Sequence, residues 1–340
     1  MATLETQQLD EIIVNTRRKM LTMGGAALAA LAFGSTKKAE AQAAAINDFD
    51  ILNFALNLEY LEAQFYNLAV YGVTIDKLPT PIPVAVNGGT AGTVTLSPTF
   101  AAVPFALPLV KAYATETAGE EGKHVLFLQQ ALTTNAVSMP NIDLFNSFNA
   151  LAVAAGLGTS FNPFMDDAHF LIGAYIFEDV GVSAYHGAAP LIADKVNILP
   201  AAVGIHAVEA YHAGLIRTTI AGLDAAGSPL PTGTLTSYTQ KISAARSALA
   251  NPDPTNPITV PFTTFTGSGA DDIGVQTTPV AINASSSIYT AATIVDSDLN
   301  AMGWSRTTSQ ILAIVTGTAP TAASPHEGVF FPNGMNGNIN

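Results

Sequence analysis

Two Glu-x-x-His steps are the residues of this chain whose types and spacing suit metal chemistry. One step is Glu121 with His124, and the other is Glu209 with His212. Each step lies in a stretch whose pattern predicts a helix. Because a separation of three residues puts two side chains on one helical face, the Glu and the His of a step can bind the same metal ion.

A glutamate followed by a tyrosine at plus seven precedes each step. The pairs are Glu59 with Tyr66 and Glu178 with Tyr185, so the order along the chain is Glu, Glu-x-x-His, Glu, Glu-x-x-His. A four-helix bundle with a two-metal carboxylate site takes one Glu from each of two helices and one Glu-x-x-His from each of the other two. The weak repeat between the halves predicts two helix pairs related by a pseudo-two-fold axis through the metals.

The pattern predicts two bound metal ions, Fe or Mn, because carboxylates with one nitrogen per metal suit these ions better than structural zinc. We expect Glu59 and His124 on one ion, and Glu178 and His212 on the other. Two adjacent redox metals can bind O2 or peroxide between them and exchange two electrons. The predicted metal ligands are Glu59, Glu121, His124, Glu178, Glu209 and His212.

Glu121 and Glu209 are expected to bridge the two ions or to lie close to them. A catalase-like cycle needs a base near the oxidant, and Glu209 or Glu62 could take that role. Tyr66 and Tyr185 either donate hydrogen bonds to the carboxylates and shield the site from radicals, or serve as core packing. The candidates for catalytic residues are therefore Glu209, Tyr66 and Tyr185.

Three further residues leave alternatives open. Glu62 lies about one turn from Glu59 and could be the true ligand in its place. His206 lies about one turn before Glu209 and is expected to face solvent or to support the ligands from behind. Asp179 either orients a histidine ligand or is a solvated acid.

The composition excludes several classes of function. A net charge of −13 opposes nucleic-acid binding, because phosphate contacts need clustered Lys and Arg. The absence of cysteine excludes disulfides, thiolate zinc sites, iron–sulfur clusters and cysteine nucleophiles. With 340 residues, 49% of them apolar, the chain can bury a large core in one or two domains.

The N-terminal residues read as an export signal. Arg17 and Arg18 begin a segment that resembles the twin-arginine signal, an apolar run follows at 20–33, and an Ala-x-Ala cleavage site ends at Ala43. The apolar run is shorter than the roughly 20 residues that a stable membrane span needs. We therefore expect export to the periplasm or beyond with no membrane span after cleavage; an uncleaved anchor is the alternative.

The rest of the chain predicts helices joined by loops rich in Pro and Gly. A small β-hairpin is expected from residues 84–86 and 93–96 around Asn87-Gly88-Gly89, inside a long insertion after the first helix. The predicted domains are an export signal at 1–43, a helical bundle with insertions at 44–250, and an irregular extension with extra helices at 251–340. Long helices are predicted at 48–71, from 104 or 108 to 132, from 163 to 190, and from 200 to 226; shorter ones at 141–157, 235–249 and 305–316.

At the Glu–Tyr pairs and the Glu-x-x-His steps described above, the chain resembles the ferritin-like superfamily. The segment 52–62 and the tail 330–334 look like its exported desiccation-related branch. The resemblance implies a mainly α four-helix bundle with a di-iron or di-manganese site, and ferroxidase, peroxide-reducing or manganese-catalase activity. The long insertion and tail depart from classical ferritins and put an iron-storage shell in doubt. The motifs that carry the resemblance are 58–66, 120–124, Glu178 with Tyr185, and 209–212.

The prediction is thus an exported dimetal-carboxylate oxidoreductase that acts on hydrogen peroxide, or on O2 with Fe(II), in oxidative or desiccation stress. Its partner is a small-molecule oxidant and not a nucleic acid, and a homo-oligomer is possible. The alternative is a ferritin-like protein that protects structures or stores metal without turnover.

Overall fold

The computed structural model describes residues 46–251, 272–276, 280–281, 290–291, 294–297, 301–317 and 327–340. The predicted export signal at 1–43 lies outside these residues. The mainly α-helical class predicted from the sequence is confirmed. The helices are α1 Asp48–Tyr71, α2 Pro108–Leu132, α3 Asn146–Ala154, α4 Asp167–Ala188, α5 Ile198–Ala226, α6 Thr234–Ala250 and α7 Thr308–Thr316.

Four long helices form the bundle. α1 packs along α2, α4 packs along α5, and contacts of α1 with α4 and of α2 with α5 join the two pairs. α1 begins at a capping box in which Asn47 accepts from the Asp50 N–H while Asp50 accepts from the Asn47 N–H, and it ends at Gly72, whose φ of 69° is left-handed. α1 and α4 are buried around most of their circumference, so their polar residues face other helices and not solvent.

The insertion after α1 corrects the hairpin prediction. The expected turn exists, since the Gly89 N–H donates to the Val86 carbonyl, but its two arms do not pair with each other. Both arms instead bond to Met139, which donates to the Val84 carbonyl and accepts from the Gly92 N–H. The segment after α2 therefore offers the backbone partners that a hairpin would have supplied internally.

That segment also supplies the partner of the first strand. β1 Val94–Thr95 pairs in parallel with β2 Ile142–Asp143, and a second two-stranded pair is antiparallel, β3 Val280–Ala281 with β4 Thr290–Ala291. Ile82 of the insertion lies against α2 at Gly122, where an added Cβ would approach its Cδ1 to 2.7 Å. Gly122 thus lets the insertion rest on the bundle.

The C-terminal segments pack on the same bundle. α6 contacts α4 and α5, and α7 contacts α4 and α6. Phe330 packs against both Phe148 and Phe177, with ring centroids 5.3 and 4.9 Å away. The fully buried Asn57 of α1 exchanges two hydrogen bonds with the Asn336 backbone, at 2.8 and 3.0 Å. The tail thus satisfies a polar side chain inside α1 that would otherwise be costly to bury.

Two short helices differ from their predicted bounds. α3 covers only Asn146–Ala154, because the preceding residues 142–143 are used in β2. α7 begins after Thr307, which forms a capping box with Gln310, and not at Ser305. Among the described residues, no helix combines the length and apolar character that a membrane crossing needs.

Candidate metal centre

The six predicted ligands converge at the middle of the bundle. Each bundle helix contributes as the sequence order requires, with one Glu from α1, one from α4, and one Glu-x-x-His from each of α2 and α5. All six side chains are buried, and the four carboxylates are almost fully inaccessible to solvent. The groups form two clusters suited to metal ions, Glu59, Glu121, His124 and Glu209 in one, and Glu121, Glu178 and His212 in the other.

The first cluster surrounds His124. Its Nδ1 lies 3.1 Å from Glu59 Oε2, 3.3 Å from Glu121 Oε2 and 3.7 Å from Glu209 Oε1. The His124 side chain is 10% exposed, so this half of the centre lies near the bundle surface. The pairing of Glu59 with His124 is the arrangement expected for one metal position.

The second cluster surrounds His212. Its Nδ1 lies 3.1 Å from Glu121 Oε1 and 3.3 Å from Glu178 Oε2. Glu121 therefore contributes one oxygen to each histidine, which is the geometry of a bridging carboxylate. The other ring nitrogen, Nε2, lies 2.7 Å from Glu120 Oε2, a contact that the sequence did not predict.

The two tyrosines form hydrogen bonds from one helix pair to the other. Tyr66 of α1 donates to Glu178 Oε1 of α4 at 2.5 Å, and Tyr185 of α4 donates to Glu59 Oε1 of α1. Each tyrosine thus bonds the glutamate of the other half and leaves that carboxylate's second oxygen facing a histidine. Both are buried hydrogen-bond donors to predicted ligands as well as packing residues.

The donor set fits divalent cations. Among the described residues, eight buried side-chain atoms have no hydrogen-bond partner, and five of them are Glu121 Oε1, Glu178 Oε2, both Glu209 oxygens and His212 Nδ1. Buried polar atoms are almost always bonded, so a concentration of unsatisfied acceptors needs a cation to offset it. The fit rests on atom types, since oxygen ligands with one nitrogen per position suit Fe or Mn.

Gly181 makes room for Glu209. A Cβ added at Gly181 would overlap Glu209 Oε2, and Glu62 Oε1 lies 3.6 Å from the same point. Glu62 is buried as well and faces the other carboxylates of the centre. Glu62 therefore lies beside the predicted ligands, and Glu59, not Glu62, is the residue that contacts His124.

Burial keeps several of the carboxyl groups protonated when no cation is near. Burial raises the pKa of Glu59 to about 7, in spite of the opposing charge of His124. Burial also raises the pKa of Glu62 and of Glu209 well above the usual range, and the neighbouring carboxylates add to the shift. Glu62 and Glu209 thus hold protons that a bound cation would displace.

The pKa shifts of the two histidines and Glu121 favour their charged forms, whereas those of Glu59, Glu62 and Glu209 favour the neutral form. Burial opposes the charge on His124, but Glu59 and Glu121 outweigh it and raise the pKa of His124 to about 11. The pKa of His212 rises to about 12 because Glu178 and Glu121 outweigh the same burial. Burial also opposes the charge on Glu121, yet the hydrogen bond from His124 and the close contact with His212 hold the pKa of Glu121 far below the usual range.

A second group of buried charges lies beside the centre, around Asp179 of α4. Asp179 accepts from Arg217 at 2.8 Å and from Arg246 at 2.9 Å, while Asp272 contacts Arg246 at 2.6 Å and Arg306 at 3.0 Å. Asp179 is therefore neither solvated nor bonded to a histidine ligand, which corrects both expectations. Three acids come within metal-binding range here, but arginine pairing already offsets the charges of Asp179 and Asp272. They are Asp179, Asp272 and Asp296.

His206 lies outside the ligand set. Its Nε2 is buried without a partner among the described residues, and its ring packs edge-on against His186 at 5.9 Å between centroids. Burial and the neighbouring His186 lower the pKa of His206. His206 is half-buried, so it faces solvent in part, and its ring packs on His186.

Comparisons with known proteins point to one family. A family model described as a ferritin-like domain matches residues 47–222. The chain is similar to desiccation-related protein PCC13-62 of Craterostigma plantagineum, 27% identical over 296 residues that span 86% of this chain and 83% of that protein. It is also similar to ferritin-like catalase Nec2 of Nesocodon mauritianus, 26% identical over 296 residues, 86% of this chain and 84% of that protein. No solved structure matches significantly.

Proposed function

This chain belongs to the ferritin-like domain family, and on that premise we propose that it is a dimetal-carboxylate oxidoreductase acting on hydrogen peroxide, or on O2 with Fe(II). The sequence-based assignment to this superfamily and its desiccation-related branch is confirmed. The metals would be Fe or Mn, held by the two clusters around His124 and His212. Of the two proposed substrates we favour hydrogen peroxide, since one relative is named a catalase.

The observation that carries this proposal is the set of unsatisfied buried acceptors. One oxygen of Glu121, one oxygen of Glu178 and both oxygens of Glu209 are buried without a hydrogen-bond partner among the described residues. Such an arrangement destabilises a purely structural core, because each unsatisfied buried polar atom costs about 1–3 kcal/mol. A function that uses bound cations accounts for it.

Bound redox metals would supply electron exchange with the oxidant, and the chain's own side chains would control protons and access. Glu209, with both oxygens free of hydrogen bonds among the described residues, is suited to give and take a proton at the centre. Tyr66 and Tyr185 hold Glu178 and Glu59 with one oxygen turned towards a histidine. The deep burial of the ligands excludes bulky substrates.

The test is metal content joined to two activities. Protein purified from its native compartment is analysed for Fe, Mn and Zn, then reconstituted with Mn(II) or Fe(II). About two Mn per chain with O2 release from peroxide supports catalase chemistry, and about two Fe with Fe(II) oxidation supports ferroxidase chemistry. Protein that neither contains nor takes up metal contradicts the proposal.

The rival function is protection without turnover. It is favoured by the printed name of the relative from Craterostigma plantagineum, which is desiccation-related and names no reaction. A protein that binds two metals yet shows neither activity above free metal in solution would support this rival.

Export by the twin-arginine route is part of the proposal. Its support is the Arg17-Arg18 pair ahead of the apolar run, which suits export of a chain already folded around its metals. Replacing both arginines by lysine in the full chain is expected to retain the protein in the cytoplasm, as measured by cell fractionation; unchanged export rejects this route.

A further inference from the structure

One contact of the metal centre is present at His212 and, among the described residues, absent at His124. His212 Nε2 lies 2.7 Å from Glu120 Oε2, and the Glu120 side chain is 32% exposed, so this carboxylate lies at the edge of the bundle. His124 Nε2 has no corresponding hydrogen bond within the part of the chain that the structure describes. The difference breaks the symmetry that the two Tyr–Glu hydrogen bonds follow.

The sequence explains the difference. The first motif reads Glu120-Glu121-Gly-Lys-His124, whereas the second reads Val208 directly before its glutamate. Tyr66 bonding Glu178 and Tyr185 bonding Glu59 show that the helix pairs are reciprocal. Val208 therefore occupies the position that Glu120 holds in the other half, and a valine side chain accepts no hydrogen bond.

Acceptance of the Nε2 proton by Glu120 has a consequence for the other ring nitrogen. When the imidazole is neutral, a proton held at Nε2 leaves the lone pair on Nδ1, which faces Glu121 and Glu178. The same hydrogen bond fixes the ring's orientation. Metal-binding histidines with such a partner bind more tightly, and loss of the partner typically costs about 10–100-fold in affinity.

We propose that Glu120 is a positioning residue that makes the two metal positions unequal, so that the Glu178–His212 position fills before the Glu59–His124 position. This inference rests on the proposed metal binding but not on the reaction. It assigns to Glu120 a role that the Glu-x-x-His pattern does not contain, and it predicts a half-loaded form with one metal at His212.

Stepwise titration of the metal-free full chain with Mn(II), in which calorimetry measures the heat of each addition, tests the proposal. The parent protein is expected to bind two ions in two separable steps. His212→Ala should abolish the tighter step and His124→Ala the weaker one. Electron paramagnetic resonance at one equivalent of Mn(II) should show a single mononuclear species, because the two positions do not fill at random.

Glu120 variants then separate orientation from charge. Glu120→Ala is expected to weaken the tighter step about 10–100-fold and leave the weaker step unchanged. Glu120→Gln keeps an oxygen that accepts the Nε2 proton and should fall between Ala and the parent. The matched control is Glu116→Ala, an exposed acid one turn earlier on α2, which should change neither step.

The outcomes distinguish this proposal from the one before it. A parent protein that binds no metal overturns the proposed function. A parent protein with two equal steps, or a Glu120→Ala variant whose tighter step equals that of the parent, overturns the role of Glu120 alone. Thermal unfolding of each metal-free variant identifies misfolded protein, and the isosteric Glu120→Gln then decides the question.

Discussion

Tyr66 on α1 donates its hydroxyl proton to Glu178 on α4 across the bundle, at 2.5 Å. The bond joins the two halves of the chain at the metal centre, because Glu178 turns its other oxygen to His212 of α5. Tyr185 makes the reciprocal bond to Glu59. The two hydroxyl groups therefore hold the two outer ligands in place from opposite sides.

Removal of one tyrosine hydroxyl should weaken one half of the centre. In Tyr66→Phe, Glu178 loses a buried donor, which we expect to cost about 1–3 kcal/mol of metal-free stability. Without that hydrogen bond the pKa of Glu178 rises further, so its metal position binds less tightly. Denaturant unfolding measures the first effect and Mn(II) titration the second.

The control for that variant is Tyr211→Phe on α5. The Tyr211 side chain lies within the second Glu-x-x-His motif but is 73% exposed, so its change should stay within about 0.5 kcal/mol. Equal effects of the two substitutions would show that the Tyr66 hydroxyl does not support Glu178.

Removing a ligand pair should abolish metal binding and leave the bundle folded. The double variant Glu121→Ala with His124→Ala deletes one buried acid and one buried base together, so the net charge of the site does not change, and Glu178 still faces His212. The bundle is expected to stay folded or to become more stable without metal. Elemental analysis after reconstitution measures the loss, and circular dichroism checks the fold.

A matched double variant on the same helix is Glu116→Ala with Lys123→Ala, two exposed residues of α2. It should keep two metals per chain. If the double variant at Glu121 and His124 also keeps two metals, the ligand assignment is wrong.

Gly181→Ala should disturb the centre through Glu209. The added Cβ overlaps Glu209 Oε2, so that carboxylate has to rotate away or α4 has to shift, at a cost of about 1–3 kcal/mol. The helix-propensity gain of about 1 kcal/mol only partly offsets this cost. We expect weaker metal binding, measured by titration, and a lower unfolding midpoint.

Gly222→Ala on α5 is the control, because an added Cβ there meets no atom within 4 Å. It is expected to stabilise the protein by up to about 1 kcal/mol through helix propensity. Identical behaviour of the two alanine variants would refute the close contact at Gly181.

The metal-free protein should lose stability as pH rises from about 5 to about 8. A group whose pKa is higher in the folded state than in the unfolded state stabilises the fold at a pH below its unfolded-state pKa. For Glu59 that contribution disappears as pH rises through about 7. Glu62 and Glu209 act in the same direction. The stability that results from the raised pKa of His124 also decreases as pH rises above 6.5, the ordinary pKa of the imidazole. The expected loss is on the order of a few kcal/mol.

Denaturant unfolding of metal-free protein across this range measures the effect. Glu62→Gln should flatten the dependence, because its amide does not ionise. Metal binding should reverse the trend, since cations displace protons from these ligands and bind more tightly at higher pH. A midpoint that rises with pH in the metal-free protein would count against buried protonated acids.

The helices, and the faces on which the six predicted ligands lie, could be predicted because they depend on local spacing. α1 and α2 have the bounds 48–71 and 108–132 that were expected, and Glu-x-x-His places two ligands on one face in any helix. The hairpin prediction failed because strand pairing depends on which backbone comes close, and Met139 supplied it from outside the insertion.

The sequence by itself determined which residue types are available as metal ligands and on which helices they lie. Only the tertiary structure decided which atoms meet, because contacts such as Glu120 with His212 join residues 92 positions apart on different helices. The same holds for Gly181, whose missing side chain matters only once α5 brings Glu209 against it. Local periodicity encodes the face of a helix, whereas the partner of that face is set by packing of the whole bundle.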